Sequence, residues 1–196
     1  MTTDPYLARI LDAARQLFTE NGLDAVNMHS IAKKAGIGQG SLYRRFGDKG
    51  EICSVLLLDS TERFLKTLEQ QDHQTDSKFS ALDHLQISIE KVIDFLAQHA
   101  ELLQLIKSEF TGKKKQLTHF EHPFFQRLSA ILAKLLQLAV DRDEIIPLDP
   151  KFAATALISI LSPDLYLYQQ KVHGDTKEQI VQGIVTLFIT GLRKTR

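Results

Sequence analysis

Residues 27–49, NMHSIAKKAGIGQGSLYRRFGDK, constrain this chain more tightly than any other stretch. Asn27 is a good N-cap, because its side-chain oxygen can accept a first-turn backbone N–H that has no helical partner. Met28, Ile31, Ala32 and Ala35 follow as a narrow apolar stripe at helical spacing. Gly36 comes next and can take the left-handed conformation that closes a helix. Ile37 is a single apolar anchor in the turn. A second helix is predicted from Gln39 to Phe46 with Leu42 and Phe46 facing inward, ended by Gly47. Gln39, Ser41, Arg44 and Arg45 are left facing outward. Two short helices joined by such a turn form a helix-turn-helix, whose second helix enters the major groove of DNA.

The match then extends beyond layout. The helix YLARILDAARQLFTENG followed by IAKKAGIGQGSLYRRFGDK resembles the DNA-binding domain of the TetR family of bacterial transcriptional regulators. Ile31, Ala32, Ala35, Gly36, Ile37, Gly40, Leu42, Tyr43, Phe46 and Lys49 meet the family pattern. Asn27 stands where Thr is usual, Gly38 where Ser or another polar cap is usual, and Arg45 where His is common. Gly38 is the weaker cap by a few tenths of a kcal/mol, and Arg45 changes what the helix offers to phosphate or base. The resemblance implies an all-α chain of about nine helices. A three-helix DNA-binding domain over 1–50 would precede a helical ligand-binding and dimerisation domain over 51–196.

Geometry and resemblance together name the DNA contacts. Gln39 can pair with adenine and Arg44 with guanine through two hydrogen bonds each. Ser41 suits base or phosphate, and Gly40 permits close backbone approach. Tyr43 and Lys49, by resemblance, contact phosphate, with Arg45, Asn27 and His29 as further backbone contacts. Charge agrees locally. The chain has 24 Lys and Arg against 24 Asp and Glu, a net charge of zero. Yet Lys33, Lys34, Arg44, Arg45 and Lys49 face only Asp48 between 33 and 49, a local basic patch on a neutral protein.

Elsewhere the pattern is helical and without strand alternation. Asp4-Pro5 and Asp149-Pro150 each pair a cap with a proline suited to the first helical position. Asp48 with Glu51 predicts a helix running to about Gln70 and then a polar loop over 71–78. Leu82 to Leu96 and Leu102 to Phe110 read as two helices. Thr111-Gly112-Lys113-Lys114-Lys115 reads as a break and a solvated charge run. Phe124 to Ala139 makes another helix. Asp175 with Glu178 predicts the opening of a final helix that reaches the C-terminus. Pro163 interrupts its helix, either as a kink opening space beside a cavity or as the boundary between two helices.

The resemblance implies a small-molecule pocket in the C-terminal part, for which Leu103, Phe110, Phe124, Phe125 and Tyr166 are the candidates. It also implies that the last two helices form a homodimer interface. Ile184, Leu187, Phe188 and Gly191 suit that role, since the apolar sector of the last helix is too wide for one-sided packing. The expected partners are double-stranded DNA, a small-molecule effector and a second copy of the chain, with no membrane. The expected role is a ligand-released repressor in the cytoplasm, without catalytic residues, cofactor or metal.

Other classes find little support. A helical metalloenzyme would rest on His119 and His122 with Glu121 between them, but no Glu-x-x-His or His-Glu-x-x-His motif occurs. The single cysteine, Cys53, excludes an intrachain disulfide. Among apolar neighbours it reads as a small core residue and not as a redox sensor.

Overall fold

The computed structural model describes residues 4–73, 79–113 and 122–194, with only the backbone described at 71–73 and 110–113. The described residues are helical, and no strand forms among them beyond an isolated bridge between Ile145 and Arg193. They divide into two compact units. One holds 4–59 with 101–113, the other 60–100 with 122–194.

The first unit begins with α1 (Pro5–Asn21), α2 (Met28–Ala35) and α3 (Gln39–Arg45). Asp4 caps α1 by accepting the Tyr6 N–H at 2.9 Å, ahead of Pro5. Asn27 accepts the Ser30 N–H at 2.9 Å, and Ser30 Oγ accepts the Asn27 N–H at 3.2 Å in return. Gly36 closes α2 at φ 65°, φ/ψ space that L-residues seldom enter. Phe46 ends α3 one residue earlier than the glycine was expected to. It is extended at φ −131°, with its ring buried. Ile10, Ala14, Ile31, Ala32, Leu42 and Ile52 lie at the centre of a continuous core, each 2 % exposed or less. Burying each of the larger side chains contributes roughly 1.5–3 kcal/mol.

Two further helices, α4 (Lys49–His73) and α5 (Ala81–Lys113), contribute residues to both units. Asp48 Oδ1 caps α4 by accepting the Glu51 N–H at 2.8 Å, while Glu51 Oε2 accepts from Gly47 N at 2.8 Å. Gly50 is buried, and a Cβ there would sit 2.8 Å from Glu109 Cβ, so the first turn of α4 and the last turns of α5 meet almost backbone to backbone. The two helices expected over 82–110 are one helix of 33 residues. The polar residues Gln98, His99 and Glu101 interrupt the apolar stripe without a proline or glycine to stop the backbone, so the ladder continues. Lys113 ends α5 within the charge run, whose remainder lies outside the described residues.

The second unit adds α6 (Pro123–Asp141), α7 (Pro150–Ile160), α8 (Pro163–Tyr168) and α9 (Lys177–Val185). Pro163 settles the open alternative. It is the first residue of α8, with Ser162 accepting the Leu165 N–H at 3.3 Å, so the chain breaks there and does not kink. The last helix opens one residue later than expected, at Thr176, which exchanges hydrogen bonds with Gln179. It also stops short of the C-terminus. After α9 the backbone widens to a π-turn over Thr186–Thr190, closed by Gly191 N donating to Thr186 O at 2.8 Å. A Cβ on Gly191 would lie 2.7 Å from Leu187 O, so this glycine answers to its own turn.

Two long-range ties shape this unit. Glu144, beyond the end of α6, accepts the N–H of Ala81 at 3.0 Å and of Leu82 at 2.9 Å, capping α5 from more than sixty residues away. Arg127 on α6 reaches Glu69 at 2.8 Å and Glu62 at 2.9 Å, forking across two turns of α4. Phe64 and Phe95 stack at 4.4 Å between ring centroids, with Phe124 at 6.3 and 6.0 Å from them.

Candidate functional site

The outward face of α3 is built by what lies beneath it. Leu42 is fully buried and Phe46 is 5 % exposed, so the helix cannot roll, and Gln39, Gly40, Tyr43 and Arg44 must face solvent. A Cβ built on Gly40 would meet nothing within 4 Å, so its glycine answers to no packing within the chain. The absence of a side chain leaves the α3 backbone open to whatever docks there. Tyr43, a large ring, is 48 % exposed.

The polar side chains are linked to one another. Gln39 Oε1 lies 3.4 Å from His29 Nδ1, bridging α2 and α3. Arg44 donates to Ser41 Oγ at 2.8 Å one turn back, which aligns its guanidinium along the helix. Arg45 makes an ion pair with Asp4 at 2.6 Å. The Asp4 carboxyl is held below the usual carboxylate range, first by the Tyr6 N–H and then by the Arg45 charge. Asn27 is exposed, but its carboxamide oxygen is committed to the cap of α2. Lys49 is only half-exposed. Its ammonium donates to the carbonyls of Leu23 at 2.6 Å and Val26 at 2.9 Å, fastening the turn between α1 and α2 to the start of α4.

Sequence reasoning missed Arg9. Its guanidinium donates from Nε to Ala35 O at 3.1 Å and from Nη2 to Gly36 O at 2.9 Å, neutralising the carbonyl end of α2 where it turns toward α3. An arginine on the polar face of an amphipathic helix gives no local sign of such a role; only the crossing of α1 and α2 reveals it.

In the second unit, a cavity of about 340 Å³ lies between α5, the end of α7, α8 and α9. Of the expected pocket residues whose side chains are described, only Tyr166 lines it. Phe124 and Phe125 belong to the aromatic cluster around Phe95, and Leu103 is buried in the other unit. The Phe110 side chain lies outside the described residues. Of the expected interface residues, Ile184 and Leu187 both line this cavity, the first 6 % and the second 62 % exposed, and Phe188 is half-buried. Gly191 lies exposed at the π-turn.

The residues behind the other classes are also located. His122 caps α6 through Nδ1, which accepts the Phe124 N–H at 3.3 Å, and burial holds its pKa below the ordinary histidine value. His119 and Glu121 lie outside the described residues. Cys53 is fully buried, and desolvation pushes its thiol up to about 12, which keeps it protonated and unreactive near neutral pH. Among the described residues, no helix is long and apolar enough to cross a membrane.

A three-helix core presenting a clamped second helix defines a helix-turn-helix DNA-binding protein. Residues 10–54 match the family model described as bacterial regulatory proteins, tetR family. A helix-turn-helix-type transcriptional regulator of Staphylococcus aureus strain MRSA252 is 30 % identical over 161 residues, which cover 82 % of this chain and 80 % of that protein. The chain belongs to the TetR family of transcriptional regulators. Among solved structures, the fatty acid degradation regulator FadR from Bacillus halodurans superposes with a TM-score of 0.69 at 21 % identity, over 100 % of both chains. NalD, the secondary repressor of the MexAB-OprM multidrug efflux pump in Pseudomonas aeruginosa, gives 0.66 at 20 % identity, over 98 % of this chain and 100 % of its own. At such identities these two share the fold.

Proposed function

We propose that this regulator is a cytoplasmic homodimeric repressor that holds a near-palindromic operator through α3 and releases it when a small molecule binds. The observation that carries the reading is the face of α3: Leu42 and Phe46 anchor it, and Gln39, Tyr43 and Arg44 project from it. Gln39 and Arg44 supply base discrimination, each by roughly 1–3 kcal/mol. Tyr43, His29, Ser41, Asn27 and Arg45 supply contacts that set register on the backbone. Arg45 exchanges its Asp4 partner for a phosphate. Lys49 uses two of its three hydrogens on the turn carbonyls and has a third for phosphate.

Dimerisation follows from the geometry of B-DNA, whose successive half-sites are roughly 34–36 Å apart. One copy cannot span them. The exposed Leu187 and half-buried Phe188 of the last helical turns suit a self-complementary contact.

The test is selection of bound fragments from the source genome by the purified protein, read at low and moderate salt. Repeated recovery of a short near-palindrome is expected, with binding weakened about tenfold or more by Gln39→Ala and lost on Tyr43→Ala. Only sequence-blind, salt-labile binding would reduce the α3 face to a nonspecific basic patch.

A further inference from the structure

We infer that the cavity between α5, α8 and α9 takes an amphiphilic organic cation, with Asp175 as its counter-ion; this rests on the proposed release by a small molecule and names the chemistry of its effector. The cavity, at about 340 Å³, suits a compact ligand. Its walls are aliphatic, with Ile93 and Leu96 from α5, Leu165 from α8, and Ile180 and Ile184 from α9. Tyr166, Gln169, Gln179 and Asp175 are its polar members, and no lysine or arginine lines it among the described residues.

Asp175 is held at the cavity by the backbone. Gly174, at φ 77°, reverses the chain after the π-turn that follows α8, and Asp175 N donates to Gln169 O at 3.0 Å. Its carboxylate is not used as a helix cap, because Thr176 caps α9. Among the described residues it has no ion-pair partner. The nearest lysine in sequence, Lys177, is taken by Asp94 at 2.8 Å. The start of α9 already carries Asp175 and Glu178, so its dipole is satisfied without an incoming anion. A ligand carboxylate would find only Lys177 near Tyr166, already paired with Asp94, and a second negative charge beside Asp175 would be repelled. An alkyl ammonium buries its stem against the aliphatic walls and pairs its head with Asp175, while the Gln169 amide and the NH2 of Gln179, whose oxygen caps α9, remain to bind polar substituents.

The experiment is calorimetric titration of the DNA-free full-length protein with matched hexyl, octyl and decyl probes below their micelle concentrations. Each length is tried as the trimethylammonium, the alcohol and the carboxylate. The ammonium is expected to bind about tenfold more tightly than the alcohol, with the carboxylate weakest. Asp175→Asn should bring the ammonium down to the level of the alcohol while leaving the alcohol unchanged. Leu165→Trp, which fills the cavity, should abolish both, with folding checked by circular dichroism. Carboxylate binding as tight as the ammonium, a preference that survives Asp175→Asn, or no binding of any probe by folded protein would each overturn the assignment. Failure of the underlying reading looks different: the ammonium binds as stated, but operator affinity does not change when it is present.

Discussion

The two units solve the same problem, ending and packing helices, in different ways. In the first, the helix ends are closed by near neighbours: Asp4 caps α1, Asn27 and Ser30 cap α2 together, and Gly36 closes it. Arg9 and Lys49 reach further, across 23 or more residues to backbone carbonyls, and Lys34 and Arg45 pair with Glu20 and Asp4. In the second unit α6 to α9 are capped locally too, by His122, Asp149, Ser162 and Thr176, but α5 is capped by Glu144 as well as by its own Ser80, and α6 is tied to α4 by one arginine and two glutamates. The first unit is therefore a cassette whose shape is written in a short stretch of chain. The second adds ties between residues far apart in sequence, which form only on folding.

The largest effect is expected from Leu42→Ala, which empties a fully buried site beneath α3. It should cost roughly 2–5 kcal/mol and lower the denaturation midpoint, with operator binding lost because α3 is no longer clamped. Next comes Glu144→Ala, which strips the N–H groups of Ala81 and Leu82 of their partners. A loss of roughly 1–3 kcal/mol is expected. Hydrogen exchange should rise at the start of α5 while protection of α2 and α3 stays unchanged. Equal exchange changes in both units would contradict the division into a local cassette and a long-range assembly.

Acidification should sharpen the same contrast. Burial holds His99 and His122, both in the second unit, below the ordinary histidine value of 6.5. A depressed folded pKa means the unfolded chain binds protons first as pH falls. The stabilising contribution is thus complete above that value and is lost as pH drops through the folded pKa values. Exchange protection around α5 and α6 is expected to fall before that of α2 and α3, with His99→Gln and His122→Asn blunting the effect. The smallest effect concerns Cys53. With its thiol raised to about 12 by burial, native protein should resist maleimide and peroxide at neutral pH and react only after denaturation. Rapid native labelling would show that the first unit opens more readily than its packing suggests.

Much of this was legible in the chain itself, and the reasons differ by element. The caps at Asp4, Asn27 and Asp149 were readable because a cap spans only three or four residues. Gly36 and the buried pair Leu42 and Phe46 were readable because helical periodicity leaves few alternatives. The continuity of α5 was not, since a brief polar interruption of an apolar stripe looks the same in a helix that ends and in one that crosses different surroundings. Phe124 and Phe125, expected around a pocket with Tyr166, belong to a packed cluster at Phe95, because large rings fill cores as readily as they line cavities. Asp175 looked like a cap, and Thr176 next to it competed for the same role; the backbone reversal at Gly174 decided between them.

By itself, then, the sequence determined an all-helical chain, the family it belongs to, and which face of α3 is turned outward. Each of these depends on residues within a few turns of one another, where propensity, periodicity and capping act at short range. Only the tertiary structure decided that Arg9 closes α2, that Glu144 caps α5, that Lys49 is partly spent on the turn before α2, and that Asp175 borders a largely aliphatic cavity with no ion-pair partner among the described residues. Those depend on side chains far apart in sequence meeting in space, and a hydrogen bond or ion pair of that kind leaves no periodic trace in the order of the residues.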